Sequence, residues 1–365
     1  MDKGKVYELL RKLCSAHSPS GFEDEVKGLV IDELKPYADS LWVDSLGNVI
    51  ALKKGSGDGK LMIAAHLDEI GLMISHIDKR GFLRFTPVGG WSERILPAQR
   101  VIILTRKGTK VRGVIGIKPP HLMTPEEAKQ VIPMKDLFID IGVSSRDEAE
   151  KLGVKVGCIA VLDREVVRLG NGDVVTGKSF DDRVGVVVMI EAFKQLDNVE
   201  ANVYAVATVQ EEVGLKGARV AAFSIGPDVA LALDVTTAND VPTVQEHEWI
   251  AQLGKGPTIK VIDGRSGTGL ISHPAVRELL IKTAEEEGIP YQVEVAPAGT
   301  TDASAIQLTR EGVPAGVVSI PTRYIHSPTE VLNLNDVVNA VKLVRGFAKR
   351  VTDEWINTVL KKKIK

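Results

Sequence analysis

The sequence predicts an α/β fold, a mixed sheet covered by helices, with a β-rich domain inserted into it. Three observations carry this. Short apolar runs at 61–65, 203–209, 229–235 and 315–320 are bounded by turn residues and read as buried strands. Stretches with helical spacing, such as 184–196 and 276–287, alternate with them, as in a sheet with helices on both faces. From about Glu69 to Glu165 the texture changes to short alternating strands with frequent glycine, as at 81–86 and 113–117.

At the start of the chain, Ser20 and Glu23 have the spacing of a capping box. They open an amphipathic helix with Val26, Leu29, Val30 and Leu34 on one face, stopped by Pro36. At the far end Val337, Val341, Val344, Phe347, Val351 and Trp355 predict one long helix over 336–360. The α/β scaffold is expected in 1–68 and 166–365 and the inserted domain in 69–165, whose helical interruptions fall near 125–130 and 146–152. A length of 365 residues exceeds what one hydrophobic core usually serves, which agrees with such a division.

Composition excludes several classes. Hydrophobic residues make up 44% and charged residues 26%, values of a globular chain rather than a disordered or membrane one. With 46 basic and 48 acidic residues interspersed, there is no electrostatic footprint for nucleic acid or an anionic membrane. The run Lys361, Lys362, Lys363 suits a solvated helix end. Cys14 and Cys158 are too few for a disulfide framework, and no segment approaches the ~18 apolar residues of a spanning helix. The first thirteen residues lack the apolar core of a signal peptide, so the cytoplasm is the expected location.

Acidic and histidine residues fall at or just beyond the C-terminal ends of the apolar strands. His66 and Asp68 follow 61–65, Glu211 and Glu212 follow 203–209, Asp234 ends 229–233, and His326 follows 315–320 by a short loop. In open α/β sheets the ligand crevice lies outside those ends, so the side chains can converge. Asp181 and Asp182 open the helix beginning at Val184. Singly, each has an ordinary role as a core histidine, an N-cap or a turn former. Jointly, several carboxylates at one sheet edge repel by several kcal/mol unless cations sit between them. His66, Asp181, Glu212, Asp234 and His326 suit two divalent ions sharing a bridging carboxylate, with zinc, cobalt or manganese favoured over magnesium.

The motifs Ala65-His66-Leu67-Asp68-Glu69-Ile70-Gly71, Ser179-Phe180-Asp181-Asp182-Arg183-Val184-Gly185, Gln210-Glu211-Glu212-Val213-Gly214, Leu233-Asp234-Val235, Gly299-Thr300-Thr301-Asp302-Ala303 and Pro321-Thr322-Arg323-Tyr324-Ile325-His326-Ser327 stand in this order over nearly the whole chain. In them the sequence resembles the tetrahedral aminopeptidases, dinuclear metallopeptidases of archaea and bacteria whose relatives also carry the labels deblocking aminopeptidase and endoglucanase. The resemblance implies two divalent ions per subunit, zinc or cobalt foremost. His66, Asp181 and Asp234 would hold one, Asp181, Glu212 and His326 the other. It makes Glu211 the general base and Asp68 the carboxylate that fixes the His66 tautomer, while Asp182 and Arg183 match the motif without being ligands. Alternation along a strand adds a reason for Glu211 and Glu212 to differ in role, since neighbouring side chains point to opposite sides.

Gly299, Thr300, Asp302, Arg323 and Tyr324 match loops beside the family's active site and are expected to line a substrate pocket, with a broad or neutral aliphatic preference. The implied substrates are short peptides with a free N-terminus. The implied assembly is a hollow tetrahedral dodecamer built from six dimers, with the inserted segment 69–165 as the dimerisation domain. Few Asn, Gln and Cys among abundant Lys, Arg and Glu suit a thermophilic source. The competing readings are another dinuclear exopeptidase or deacylase on the same scaffold, and an assembly protein whose metals are structural.

Overall fold

The computed structural model describes residues 2–296 and 298–360; Lys361, Lys362 and Lys363 lie outside them. Helix α1 (Lys3–Cys14) is capped by Asp2 and buries Val6, Leu9, Leu10 and Leu13. Helix α2 (Asp24–Leu34) buries Val26, Val30 and Leu34 at the expected spacing. The capping box does not form. Ser20 Oγ donates to Asp68 at 2.6 Å, and the Glu23 carboxylate accepts from the backbone N–H groups of Gly21 and Gln210. Ser18 caps the helix instead, its Oγ accepting from Val26 N at 3.0 Å. Partners remote in sequence have claimed both box residues.

A hairpin of β1 (Ser40–Val43) and β2 (Val49–Lys53) leads into β3 (Lys60–His66). The chain then leaves the main sheet and builds a closed six-stranded barrel from β4 (Gly71–Ile77), β5 (Leu83–Val88), β6 (Arg100–Leu104), β7 (Lys110–Ile115), β8 (Ile139–Asp140) and β9 (Ile159–Leu162), in the order β4-β5-β8-β7-β6-β9. Its interior is a separate core that includes Leu72, Ile74, Leu83, Val101, Ile103 and Ile139. Helix α3 (Arg146–Lys151) and short helical turns, one at Glu127–Lys129, interrupt it.

Back in the main layer come β10 (Val167–Leu169), β11 (Val174–Gly177), α4 (Phe180–Lys194), β12 (Asn202–Thr208), α5 (Lys216–Ile225), β13 (Val229–Thr237), β14 (Thr258–Ile262), α6 (Pro274–Glu286), β15 (Gln292–Val295), α7 (Asp302–Ile306), β16 (Ala315–Arg323), β17 (Glu330–Asn333), α8 (Leu334–Arg350) and α9 (Asp353–Trp355). Among the described residues the main sheet runs β1-β2-β12-β3-β13-β16-β17-β11-β10, with β14 on β16 and β15 on β14. The central strands β12, β3, β13 and β16 are mutually parallel. Period-two alternation divides their side chains between two cores. Leu61, Ile63 and Ala65 of β3 face the side of α1, α4 and α8, while Met62 and Ala64 face that of α5 and α7.

The C-terminal expectation needs correction. Helix α8 stops at Arg350, Val351 is extended (φ −79°, ψ 105°), and Thr352 caps a new turn by accepting from Trp355 N at 3.1 Å. The break folds Trp355 back edge-on to Phe347, with 6.4 Å between ring centres, so the apolar spacing continues without one continuous helix. Among the described residues no helix is long and apolar enough to cross a membrane.

Candidate metal centre

Register brings the site together. His66 ends β3 opposite Thr208 of β12, and Asp234 on β13 stands opposite Ser319 of β16, so the C-terminal ends of parallel strands meet at one edge. Asp181 enters from the first turn of α4, joined to Asp182 by a cis peptide bond. His326 comes from the loop after β16 with φ +59°, a left-handed conformation unusual for a side-chain-bearing residue.

Asp181 lies at the centre of the cluster. Its Oδ1 is 3.1 Å from His66 Nε2, and its Oδ2 is 3.2 Å from His326 Nε2. Glu212 Oε1 also lies 3.1 Å from His326 Nε2, yet this buried oxygen has no aligned hydrogen-bond partner. Ligand atoms of His66, Asp181 and Glu212 fall within 4.8 Å of one another, as do those of His66, Glu211 and Asp234. Glu211 Oε2 is 3.9 Å from His66 Nε2.

The electrostatics call for positive charge at these points. Burial, reinforced by neighbouring Asp181, pushes the Asp234 and Glu212 carboxyls above their usual range. Burial also raises Glu211 well above it, helped by Asp234 and Asp302 against the pull of His66. At Asp181 burial is outweighed by the two imidazoles, which hold its carboxyl below the usual value. Burial by itself would depress both histidines, but facing carboxylates raise them, His326 to about 11. His66 Nδ1 is 3.0 Å from the Asp68 carbonyl oxygen, which can only accept; neutral His66 therefore carries its proton on Nδ1 and leaves the Nε2 lone pair toward Asp181. Two imidazoles and several crowded carboxylates with an orphaned buried oxygen fit divalent cations in chemistry and spacing.

The surroundings assign different work to several residues. The Asp68 carboxylate is 3.5 Å from His66 Nδ1, but it accepts from the backbone N–H groups of Glu211 (3.0 Å) and Glu212 (3.2 Å) and from Ser20 Oγ, so it anchors the loop carrying both glutamates. That loop lies beyond the end of β12, with Gln210 at φ +56°, and the alternation expected for Glu211 and Glu212 does not apply. Asp182 accepts from His66 N and Gly185 N. Arg183, fully buried, donates to the carbonyls of Leu13, Ser18 and Leu67.

A cleft of about 390 Å³ opens from the cluster, walled in part by Glu211, Asp234, Gly299, Thr300 and His326. Asp302, also expected on the wall, does not line it: it is buried, accepting from Thr208 Oγ1 at 2.5 Å, its carboxyl pushed up to about 6 by burial. Arg323 and Tyr324, expected on this wall, do not form it. Asp240 binds the Arg323 guanidinium at 2.8 and 2.9 Å, and Tyr324 is 55% exposed.

Two features had no sequence signal strong enough to single them out. Glu330, buried on β17, accepts from the N–H groups of Phe180 (2.5 Å), Asp181 (3.3 Å) and His326 (2.9 Å), fastening two of the clustered residues by their backbones. Gly89 and Gly90 bring the barrel against the cluster. A Cβ on Gly90 would lie 3.0 Å from His326 Nδ1, and one on Gly89 2.6 Å from Ile70 Cγ2, at φ +79° besides. The Gly-Gly pair was the available sign of close backbone approach.

A family model described as M42 glutamyl aminopeptidase matches residues 47–343. A lysyl aminopeptidase of Pyrococcus furiosus is 42% identical over 350 residues, covering 94% of this chain and 97% of that protein. The solved structure of aminopeptidase APDkam598 from the archaeon Desulfurococcus kamchatkensis matches with a TM-score of 0.96 at 55% identity, over 100% of this chain and 99% of that one. The Pyrococcus horikoshii TET1 peptidase, described as able to assemble into a tetrahedron or a large octahedral shell, matches with a TM-score of 0.85 at 39% identity, over 95% and 100%.

Proposed function

Because the chain belongs to the M42 glutamyl aminopeptidase family and is a peptide hydrolase of the aminopeptidase type, we propose that it removes N-terminal residues from short peptides with two divalent ions, zinc or cobalt. His66, Asp181 and Asp234 would hold one ion and Asp181, Glu212 and His326 the other. The supporting observation is the Asp181 carboxylate, each oxygen of which faces a different imidazole, the disposition of a bridging ligand. When bound, such ions supply Lewis acidity toward the scissile carbonyl and its attacking water and an anchor for the free α-amine.

The chain's own part is proton handling and position. Glu211 takes a proton from the attacking water and returns it to the leaving amine, its Oε2 standing 3.9 Å from His66 Nε2 at the cluster. Asp68 fixes the backbone from which Glu211 and Glu212 project. For assembly the proposal is a homododecamer of six dimers, each dimer formed through the inserted domain, 69–165. The shell described for the Pyrococcus horikoshii relative supports it.

The test pairs Glu211→Gln with substrates differing at the amine. Metal-loaded wild type is expected to cleave free aminoacyl anilides and to ignore their N-acetylated forms. The variant keeps its metal content while losing about 10²-fold or more in kcat. Equal rates on free and acetylated substrates would move the assignment to a deacylase, and retained turnover would displace Glu211.

A further inference from the structure

The wall of the cleft on the side of β13 and β14 holds a buried ion pair. Lys260, 4% exposed, lines the same cleft as His66, Glu211 and Asp234. Its Nζ lies 3.0 Å from Glu294 Oε1 and 4.0 Å from Asp263 Oδ2. Glu294 is fully buried and held from two sides, accepting from Thr236 Oγ1 at 2.7 Å and from Thr258 Oγ1. Thr236 is itself on the cleft wall, and so are the apolar side chains of Leu215, Val235 and Ile325. A peptide whose scissile bond lies at the His66, Asp181 and His326 cluster has this cleft available for its first side chain.

An ammonium turned onto a buried carboxylate is already compensated. An acidic first residue would have to compete with Glu294 and Asp263 for Lys260, and a basic one would set a second ammonium beside the one that already occupies those carboxylates. Each would also lose hydration against the apolar part of the wall, Leu215, Val235 and Ile325. An uncharged side chain incurs neither cost and contacts Leu215, Val235 and Ile325.

Resting on the aminopeptidase reading, we propose that the Lys260–Glu294 pair is the specificity-determining element of the first-residue pocket, admitting uncharged side chains such as leucine and rejecting glutamate and lysine. The family description names a glutamyl enzyme and the Pyrococcus furiosus relative is a lysyl one, so membership does not choose the residue.

The experiment compares kcat/KM on leucyl, glutamyl and lysyl p-nitroanilides. Metal-loaded wild type is expected to favour the leucyl substrate by about tenfold or more over both others. Glu294→Gln removes the nearer carboxylate, leaving the ammonium only Asp263 at 4.0 Å, and raises the glutamyl-to-leucyl ratio about tenfold. Lys260→Met leaves Glu294 and Asp263 uncompensated and raises the lysyl-to-leucyl ratio by a similar factor. The double variant removes the pair together, so that with Asp263 remaining the wall keeps its wild-type net charge, and returns both ratios to within about threefold of wild type. Wild type cleaving the glutamyl or lysyl substrate at least as fast as the leucyl one overturns the assignment, as do ratios unmoved in both single variants. If a single variant does not fold, the wild-type order and the double variant decide. No turnover on any of the three by metal-loaded wild type would remove the aminopeptidase reading as well, whereas an altered order with turnover retained removes only the pocket.

Discussion

Replacing Glu330 by alanine tests whether the cluster depends on a residue outside it. The Glu330 carboxylate receives three backbone N–H groups, from Phe180, Asp181 and His326, in a site only 2% exposed. Alanine leaves them unmet at about 1–3 kcal/mol each; with the 3.3 Å contact counted as weak, the loss is about 3–6 kcal/mol. Unfolding entropy of about 2.1 cal/mol/K per residue over 365 residues sums to about 0.8 kcal/mol/K. The melting temperature of the chelator-treated protein should therefore fall by about 4–8 °C. Because two of the three donors are the backbones of Asp181 and His326, divalent-ion affinity should fall about 10–100-fold as well. Calorimetry gives the first quantity and competition with a chromogenic chelator the second. Glu330→Gln, which keeps the volume and one acceptor oxygen, should recover part of both. A Glu330→Ala protein melting within about 1 °C of wild type and binding metal as tightly would refute the reasoning.

Asp68→Asn replaces one acceptor oxygen with an amino group that opposes the N–H of Glu211 or Glu212, so kcat should drop about 10–100-fold with the circular dichroism spectrum unchanged. If Asp68 served only the imidazole tautomer, kcat would survive, because the Asp68 backbone carbonyl already accepts from Nδ1. The proposed shell predicts a sedimenting species with twelve times the 39.4 kDa protomer mass; a monomer or an isolated dimer as the stable form would exclude it.

The α/β scaffold was legible because its central strands are buried on both faces and so read as continuous apolar runs, as in 61–65 and 229–235. The change of texture after His66 announced the barrel for the complementary reason. Its small closed sheet has one face in a private core and the other outward, and β7 shows it, with Gly113 and Ile115 buried and Lys110, Arg112 and Val114 exposed. The meeting of His66, Glu211, Glu212, Asp234 and His326 was expected from strand ends, since parallel strands in register deliver their C-terminal residues to one edge; Asp181, which opens α4, was joined to them by the charge argument and the family resemblance.

What the linear pattern could not decide is which polar groups would find each other across long separations. Ser20 and Glu23 have the spacing of a capping box, yet Ser20 pairs with Asp68, 48 residues away, and Glu23 with Gln210. Glu330 meets Phe180 across 150 residues, Lys260 pairs with Glu294, and Arg323 belongs to Asp240 rather than to the cleft. Sequence periodicity reports how side chains partition between water and core, a preference each segment carries by itself. A buried hydrogen bond or ion pair requires two atoms about 3 Å apart, and that distance exists only once sheet register and helix docking have fixed where remote segments lie.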